Sequence, residues 1–361
     1  MQRFRFYNFP RILGREAYQI AQEEFIATVS AHSAVRSIVR FGSVGYPGLS
    51  DLDLVVVFDK DATDVPVDIN EISRFSSETQ YILYHPQFVL REDLATKMAW
   101  LVPVFEREIV FGSSIEFDLP SENDQRTLNF SFVLQSVLTD LSWVFRGMAG
   151  GGEIDVRMAQ AKLNLLARNL QLAASVDARF GEGSFPKSVS ELRSQWFQYD
   201  LGELTMQLSS AIIGAKAELQ RLSEWLGHFA QTELRLDGHL PGKFVNAGVT
   251  TEFRNANQFS SADYLSSHLL PLLSPALFGR GRIADWVKFH SILDDPTIEH
   301  AVLSPVRRRF QIAEEHVQYI EGLGLRSGIF NYMGYPVGYR AGLRSIVRRT
   351  FWLAQWRLTR Q

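Results

Sequence analysis

Two aspartates separated by one residue follow a glycine-rich turn in the first sixth of the sequence. The stretch RFGSVGYPGLSDLDLVVVFD, residues 40–59, places Gly42 and Ser43 at the end of one apolar run and Asp51 and Asp53 at the start of the next. Two carboxylates at the edge of a buried sheet cost free energy unless a cation offsets their charge. The pattern therefore predicts a bound cation, and the next question is which cation it is and which ligand it binds.

Residue chemistry predicts Mg²⁺ carrying a nucleotide. Side chains alternate along a strand, so Asp51 and Asp53 share one face and form an oxygen-rich site, and Mg²⁺ prefers one or two carboxylates plus phosphate oxygens. Gly42 lets the backbone approach a ligand closely, and Ser43 offers a hydroxyl and an amide to phosphate. A phosphate site and a metal site on adjacent strands are the two parts that nucleotidyl transfer requires.

The same residues resemble the signature of the polymerase-β-type nucleotidyltransferase superfamily, in which a hydrophobic-Gly-Ser element precedes an Asp-hydrophobic-Asp strand. The resemblance implies that Gly42 and Ser43 bind the triphosphate and that Asp51 and Asp53 are catalytic metal ligands. It covers about residues 30–118. Within that range, VFEREIVFG resembles the helix-then-strand ending of the small bacterial members.

A third carboxylate on the next strand usually completes the site in active members of the superfamily. The segment TQYILYHP, residues 79–86, is predicted to be that strand and contains no acid. Glu78, at the entrance of the strand, is the candidate third catalytic residue. The alternative interpretation is a solvated surface glutamate.

Alternating strands and helices must position these residues. The pattern predicts a helix over 16–34 and strands over 37–41, 51–58, 79–86 and 109–112, with a helical segment over 91–108 that is kinked at Pro103. Gly45, Pro47 and Gly48 make the connection before Asp51 a loop rather than a helix. The result is a compact α/β unit.

Longer helical periodicity follows this unit, over 125–147, 154–179 and 203–234. Residues 236–282 are rich in Gly, Pro, Asn and Ser, and residues 283–361 return to a helical pattern. The predicted fold class is α+β, a polymerase-β-like nucleotidyltransferase domain followed by a mainly helical region. The predicted domains are 1–120 (nucleotidyltransferase-like), 121–235 (helical) and 236–361 (loop-rich, then helical with a basic tail).

Composition indicates a soluble globular protein, since 46% of the 361 residues are hydrophobic and 21% are charged. The chain has no cysteine, which excludes disulfides and thiolate catalysis and is typical of the reducing cytoplasm. The sequence contains neither a signal-peptide core nor a run of about eighteen apolar residues, so we predict no export signal and no transmembrane segment.

Positive charge is concentrated at the C-terminal end. Residues 1–120 carry 11 Lys and Arg against 17 Asp and Glu, whereas residues 280–361 carry 13 against 7. The last forty residues contain no acid, and Arg340, Arg344, Arg348 and Arg349 recur there at helical spacing. This tail is predicted either to meet an anionic surface or a protein partner, or to pack its tryptophans against the protein.

These features together predict a Mg²⁺-dependent nucleotidyltransferase that moves a nucleoside monophosphate from an NTP, such as ATP, to an acceptor hydroxyl. The acidity of the catalytic domain favours a small-molecule or protein acceptor over long RNA. The alternatives are a degenerate domain that binds nucleotide and regulates a partner, and an interaction protein that works through its basic tail.

Overall fold

The computed structural model describes residues 4–42, 44–62, 72–84, 87–101, 106–136, 153–232, 243–246 and 249–252, together with part of the segment 304–319. The strands in this part of the chain are β1 (Arg5–Tyr7), β2 (Val35–Phe41), β3 (Asp53–Phe58), β4 (Phe88–Arg91), β5 (Arg107–Gly112), β6 (Glu153–Asp155), β7 (Lys243–Asn246) and β8 (Val249–Glu252). The α-helices are α1 (Arg15–Val29), α2 (Ser77–Leu83), α3 (Glu92–Ala95), α4 (Met98–Leu101), α5 (Glu122–Ser136), α6 (Val156–Val176), α7 (Phe185–Ser194) and α8 (Leu201–Thr232). The chain belongs to the α+β class.

A mixed four-stranded sheet forms the centre of the N-terminal half, in the order β4-β3-β2-β5. Strand β2 is antiparallel to both β3 and β5, and β3 is parallel to β4. Leu54 and Val56 of β3 face the core that is shared with α1 and α2, whereas Val55 and Val57 face the core that is shared with α3, α4 and α5. The apolar run after Asp53 is therefore that of a strand buried on both faces.

Helices α5 to α8 form a separate core, which is built from apolar residues at helical spacing. Buried members include Val133, Leu163, Leu192, Leu208 and Trp225. Strand β1 pairs in parallel with β6 at the start of α6, so the N-terminal segment lies against the helical half. The predicted long helices are present, although residues 137–147 of the first lie outside the described residues.

Residues 79–83 belong to helix α2 (Ser77–Leu83) and not to the predicted strand, and the next strand of the sheet after β3 is β4. Residues 85 and 86 of the predicted strand lie outside the described residues. The Ser76 side chain caps the helix by accepting a hydrogen bond from the Thr79 amide. Thr79, Ile82 and Leu83 are its buried residues, a spacing of three and four that fits a helix. The β-propensity of the aromatic and branched residues suggested a strand, but capping and periodicity determine the structure.

Other boundaries differ by a few residues from the prediction. Helix α1 ends at Val29, and β3 begins at Asp53, so Asp51 precedes the strand. Helix α7 was not predicted; it begins shortly after Gly181 and Gly183, with Pro186 in its first turn, where proline is tolerated. The predicted kink at Pro103 and the basic tail lie outside the described residues.

Helical residues of the segment 304–319 pack against the N-terminal half. Ile312 is buried in the core that contains α3 and α4. Arg309, which is 1% exposed, donates a hydrogen bond from Nη1 to Ser131 Oγ of α5 at 3.2 Å. At the surface, Lys97 forms an ion pair with Glu315 at 3.1 Å. The chain therefore returns to the sheet after leaving the helical core.

Candidate functional site

The turn between β2 and β3 has the backbone geometry that its glycines predict. Gly42 follows the last residue of β2 with φ +76°, a conformation that favours glycine. Its amide donates a hydrogen bond to the Glu106 carbonyl at 2.9 Å, which ties the turn to the start of β5. Ser43, the predicted partner of Gly42, lies outside the described residues. Residues 44–50 form turns and no helix.

The two aspartates lie at the N-terminal end of β3. Leu52 and Leu54 are 2% and 0% exposed, while Asp51 and Asp53 are only partly buried, as alternation predicts. Asp53 pairs with Phe41, which pairs on its other side with Arg107, so these three residues form one row across the sheet. Both carboxylates therefore lie within reach of solvent, at the end of the sheet where β2 ends and β3 begins. This end, with Gly42, Asp51 and Asp53, is called the mouth of the sheet.

A buried and a partly buried tyrosine, Tyr18 and Tyr81, hold the turn that precedes Asp51. The Tyr18 hydroxyl donates a hydrogen bond to the Ser50 carbonyl and accepts one from the Gly48 amide at 2.9 Å. Burial raises the pKa of Tyr18 to about 12, so the hydroxyl keeps its proton at neutral pH and can donate. The Tyr81 hydroxyl donates to the Gly48 carbonyl at 3.2 Å. The backbone on both sides of Leu49 is thus fixed from α1 and α2.

The helical half also contacts this turn. Leu49 is 5% exposed and packs in the core of α5 to α8, and the Tyr46 and Ser190 hydroxyls are hydrogen bonded at 2.7 Å. Arg193 of α7 is also 5% exposed and donates a hydrogen bond to Ser50 Oγ at 3.4 Å. Burial lowers the pKa of Arg193 to about 10, and the Asp51 carboxylate opposes that shift, so the guanidinium is charged at neutral pH.

A second buried arginine lies on the α2 side of the mouth. Arg157 of α6 donates a hydrogen bond to the Tyr81 carbonyl, and its Cζ lies 3.8 Å and 4.4 Å from the ring centroids of Tyr81 and Tyr84. Burial raises the pKa of Tyr84, and the charges of Asp155 and Asp51 add to the increase. Tyr84 has φ +60°, an uncommon backbone conformation for a residue other than glycine.

The predicted third carboxylate lies away from this mouth. The Leu52 amide donates to the Ile82 carbonyl at 3.2 Å, so the C-terminal end of α2 touches the start of β3. Glu78 lies exposed in the first turn of α2, at the opposite end of the helix. A catalytic role for Glu78 remains a prediction, but the strand on which it was based is absent.

Two acids close to β5 occupy different positions. Glu108 pairs with Arg40, both in the strand register and through a salt bridge, and that pair lies on the sheet face opposite Asp53. Glu106 is exposed immediately before the strand, with its carbonyl bound to Gly42. Within the described residues, no group of three or more His, Cys, Asp or Glu side chains could hold a metal ion.

The donor set at the mouth suits a metal that arrives with phosphate better than a metal bound by protein alone. Asp51 and Asp53 would supply one or two carboxylates, which is what Mg²⁺ takes when nucleotide oxygens complete its coordination. Gly42 leaves the adjacent backbone open to close approach, and Arg193 and Arg157 add positive charge that could offset further phosphate oxygens. The residues therefore fit a Mg-nucleotide complex.

The two arginines were missed by the sequence analysis, although each leaves a signal. Arg193 stands among Val189, Leu192 and Trp196, all buried, at helical spacing. Arg157 likewise falls among the buried residues of α6. An arginine on the apolar face of an amphipathic helix must find a buried partner, which is the indication that was available.

Comparison with protein families, curated proteins and solved structures finds no match to this chain. Among the helices that the structure describes, none is long and apolar enough to cross a membrane.

Proposed function

We propose that this chain is a Mg²⁺-dependent nucleotidyltransferase that moves a nucleoside monophosphate from an NTP to an acceptor hydroxyl. The observation that carries the proposal is the pair Asp51 and Asp53 at the mouth of a mixed sheet, next to a turn that begins with Gly42 at φ +76°. This arrangement agrees with the resemblance of residues 41–57 to the polymerase-β-type signature. A small molecule or a protein is the preferred acceptor class.

The transfer exchanges a phosphoanhydride bond of the NTP for a phosphoester bond to the acceptor. The acceptor oxygen bonds to the α-phosphorus, the bond from that phosphorus to the pyrophosphate oxygen breaks, and the hydroxyl proton passes to a base or to solvent. Bound Mg²⁺ would neutralise the phosphate oxygens in this reaction. Asp51 and Asp53 would hold the metal, and Gly42 and Ser43 would hold the phosphates. Such chemistry depends mainly on positioning and charge, which a rigid sheet and its turn can provide.

A second function, nucleotide binding without transfer, is supported by a specific observation. The described residues place no third carboxylate with Asp51 and Asp53, and Arg193 already offers a cation to Asp51. A regulatory domain that binds nucleotide needs the phosphate and metal contacts but no base. The two functions differ only in whether pyrophosphate is released.

The first experiment compares transfer in the wild type with transfer in Asp51→Asn and Asp53→Asn. Each protein is incubated with labelled ATP, GTP, CTP or UTP and Mg²⁺, and pyrophosphate release and self-labelling are measured. We expect each substitution to lower turnover at least about a hundredfold, because a lost charge leaves the phosphates incompletely neutralised. Asp59→Asn, just past the opposite end of the same strand, is the matched control and should transfer normally.

The outcomes separate the proposals. Wild-type turnover in Asp51→Asn or Asp53→Asn removes the metal assignment. A wild type that binds Mg-nucleotide but never releases pyrophosphate favours the regulatory function. Glu78→Gln belongs in the same series: a large loss of turnover with unchanged nucleotide affinity would establish Glu78 as the base despite its position on α2.

A further inference from the structure

The side chain of Arg193 connects α7 to α6 and to the turn that precedes β3. Its Nη1 donates to the Gln160 carbonyl of α6 and its Nη2 donates to Ser50 Oγ, each at 3.4 Å. Its Cζ lies 5.0 Å from the centroid of the Tyr46 ring. Ser50 is the residue directly before Asp51, and its carbonyl is held by Tyr18. Arg193 is thus fixed next to the first of the two aspartates.

These contacts leave the guanidinium incompletely satisfied. Arg193 Nε is buried and has no hydrogen-bond partner among the residues that the structure describes, and the same is true of the side-chain amide of Gln160. A buried cation is costly unless an anion compensates it. Asp51 is the carboxylate that stabilises the charged form of Arg193, while Arg168 opposes it. Because Ser50, whose hydroxyl accepts from Arg193, directly precedes Asp51, the Asp51 carboxylate is placed to offset part of the charge of the buried guanidinium.

This pairing has a consequence for metal binding. A divalent cation that approaches Asp51 alone meets the positive charge of Arg193, and like charges in a partly buried site repel strongly. A metal that arrives with a nucleotide brings negative phosphate oxygens, which can interact with the arginine while the metal interacts with the aspartates. Arg193 therefore repels a free divalent cation but attracts a metal-nucleotide complex.

We propose that Arg193 makes divalent-metal binding at Asp51 depend on the phosphates of a nucleotide. Arg193 is a positioning residue in this role, because it acts on the metal through Asp51 and through the phosphates. The inference rests on the proposed function, since it needs Asp51 and Asp53 to be metal ligands. It identifies the preferred ligand as a metal-triphosphate complex rather than free metal.

The test measures binding of Mn²⁺, followed as loss of the free-ion electron paramagnetic resonance signal, with and without a non-transferable ATP analogue. Arg193→Gln should bind Mn²⁺ alone about tenfold more tightly than the wild type, because the repelling charge is gone. The same variant should bind the Mn-nucleotide complex about tenfold more weakly. Arg193→Lys, which keeps the charge, should stay close to the wild type in Mn²⁺ binding without nucleotide.

Two further variants make the result specific. Adding Asp51→Asn to Arg193→Gln should cancel the gain in Mn²⁺ affinity. Loss of packing alone would not make the gain depend on Asp51. Lys187→Gln removes one positive charge from the exposed side of the same helix and should change neither affinity. If Arg193→Gln fails to give a native circular dichroism spectrum, Arg193→Met, which fills the buried volume without a polar group, takes its place.

Unchanged binding of Mn²⁺ alone in the neutral variants overturns the inference, and in that case intact Mn-nucleotide binding leaves the proposed function standing. A wild type that binds Mn²⁺ neither alone nor with nucleotide overturns both. A gain that persists in the double variant shows that the new metal site is not at Asp51, which also overturns the inference.

Discussion

Two glycines in the turn before Asp51 differ in whether a side chain would fit in their place. A Cβ on Gly48 would lie 2.2 Å from the Arg11 carbonyl oxygen and 2.8 Å from Phe197 Cζ, and its φ of +85° is strained for any other residue. A Cβ on Gly45, three residues earlier in the same turn, would meet nothing within 4 Å. The two glycines form a natural pair for comparison.

Gly48→Ala should lower the free energy of unfolding by more than about 1 kcal/mol, the usual cost of a strained backbone alone, because the clash with Arg11 adds to it. It should also weaken Mg-nucleotide binding, since the displaced turn carries Asp51. Chemical denaturation and nucleotide titration measure the two effects. Gly45→Ala is the control, and equal stability of both variants would show that the turn is not held as described.

Part of the candidate site could be predicted from residue types within one short stretch. The other part could not, because its residues are distant in the sequence. Gly42, Asp51 and Asp53 were predicted as site residues because the proposed phosphate and metal contacts fall within one turn and the strands on either side of it. Arg193 and Arg157 approach the same mouth from α7 and α6, and no local pattern states which strand a distant helix will meet. Only the apolar neighbours of each arginine indicated that it would be buried.

Helix α2 is the element at which propensity and structure disagree. Glu24 of α1 accepts hydrogen bonds from the Ser76 amide, the Ser76 hydroxyl and the Thr79 hydroxyl, which fixes the first turn of α2. Although burial alone would raise the pKa of Glu24, the bonds from Thr79 and Ser76 hold it below its usual value. A tertiary contact from α1 thus supports a helix in a segment rich in strand-forming residues.

Ser76→Ala should lower the free energy of unfolding by about 1 kcal/mol, because it removes both the N-cap of α2 and one bond to Glu24. Ser77→Ala, one residue later and exposed in the first turn, removes a hydroxyl of the same size and should have little effect. Urea denaturation of the two variants distinguishes them. Equal stabilities would mean that the cap contributes nothing, and a loss confined to Ser77→Ala would contradict the placement of the helix.

Across the whole molecule, the two halves are joined through the turn that carries the candidate site. Leu49 inserts into the helical core, Arg157 stacks on Tyr81 and Tyr84, and Asn8 donates two hydrogen bonds to the Asp155 carboxylate at 3.1 and 3.0 Å. The sequence predicted the sheet unit and the long helices separately, since each has its own periodicity. It did not predict their interface, because the residues involved are scattered and chemically unlike.

This interface makes the stability of the N-terminal unit depend on the rest of the chain. A fragment of residues 1–120 loses the partner of β1, the helices that cover Leu49 and the α5 and 304–319 residues that cover one face of the sheet. Apolar surface left exposed in this way favours aggregation or partial unfolding. We expect the fragment to show no cooperative thermal transition by circular dichroism, whereas the full chain should show one.

A fragment of residues 1–235 is the intermediate control, because it restores β6 and the helical core but not the residues around Ile312. It should show a cooperative transition with a midpoint below that of the full chain, and it should regain Mg-nucleotide binding because Arg157 and Arg193 return with it. A 1–120 fragment that melts cooperatively at the temperature of the full chain, and binds Mg-nucleotide equally well, would show that the site is complete within the sheet unit and that the helices only accompany it.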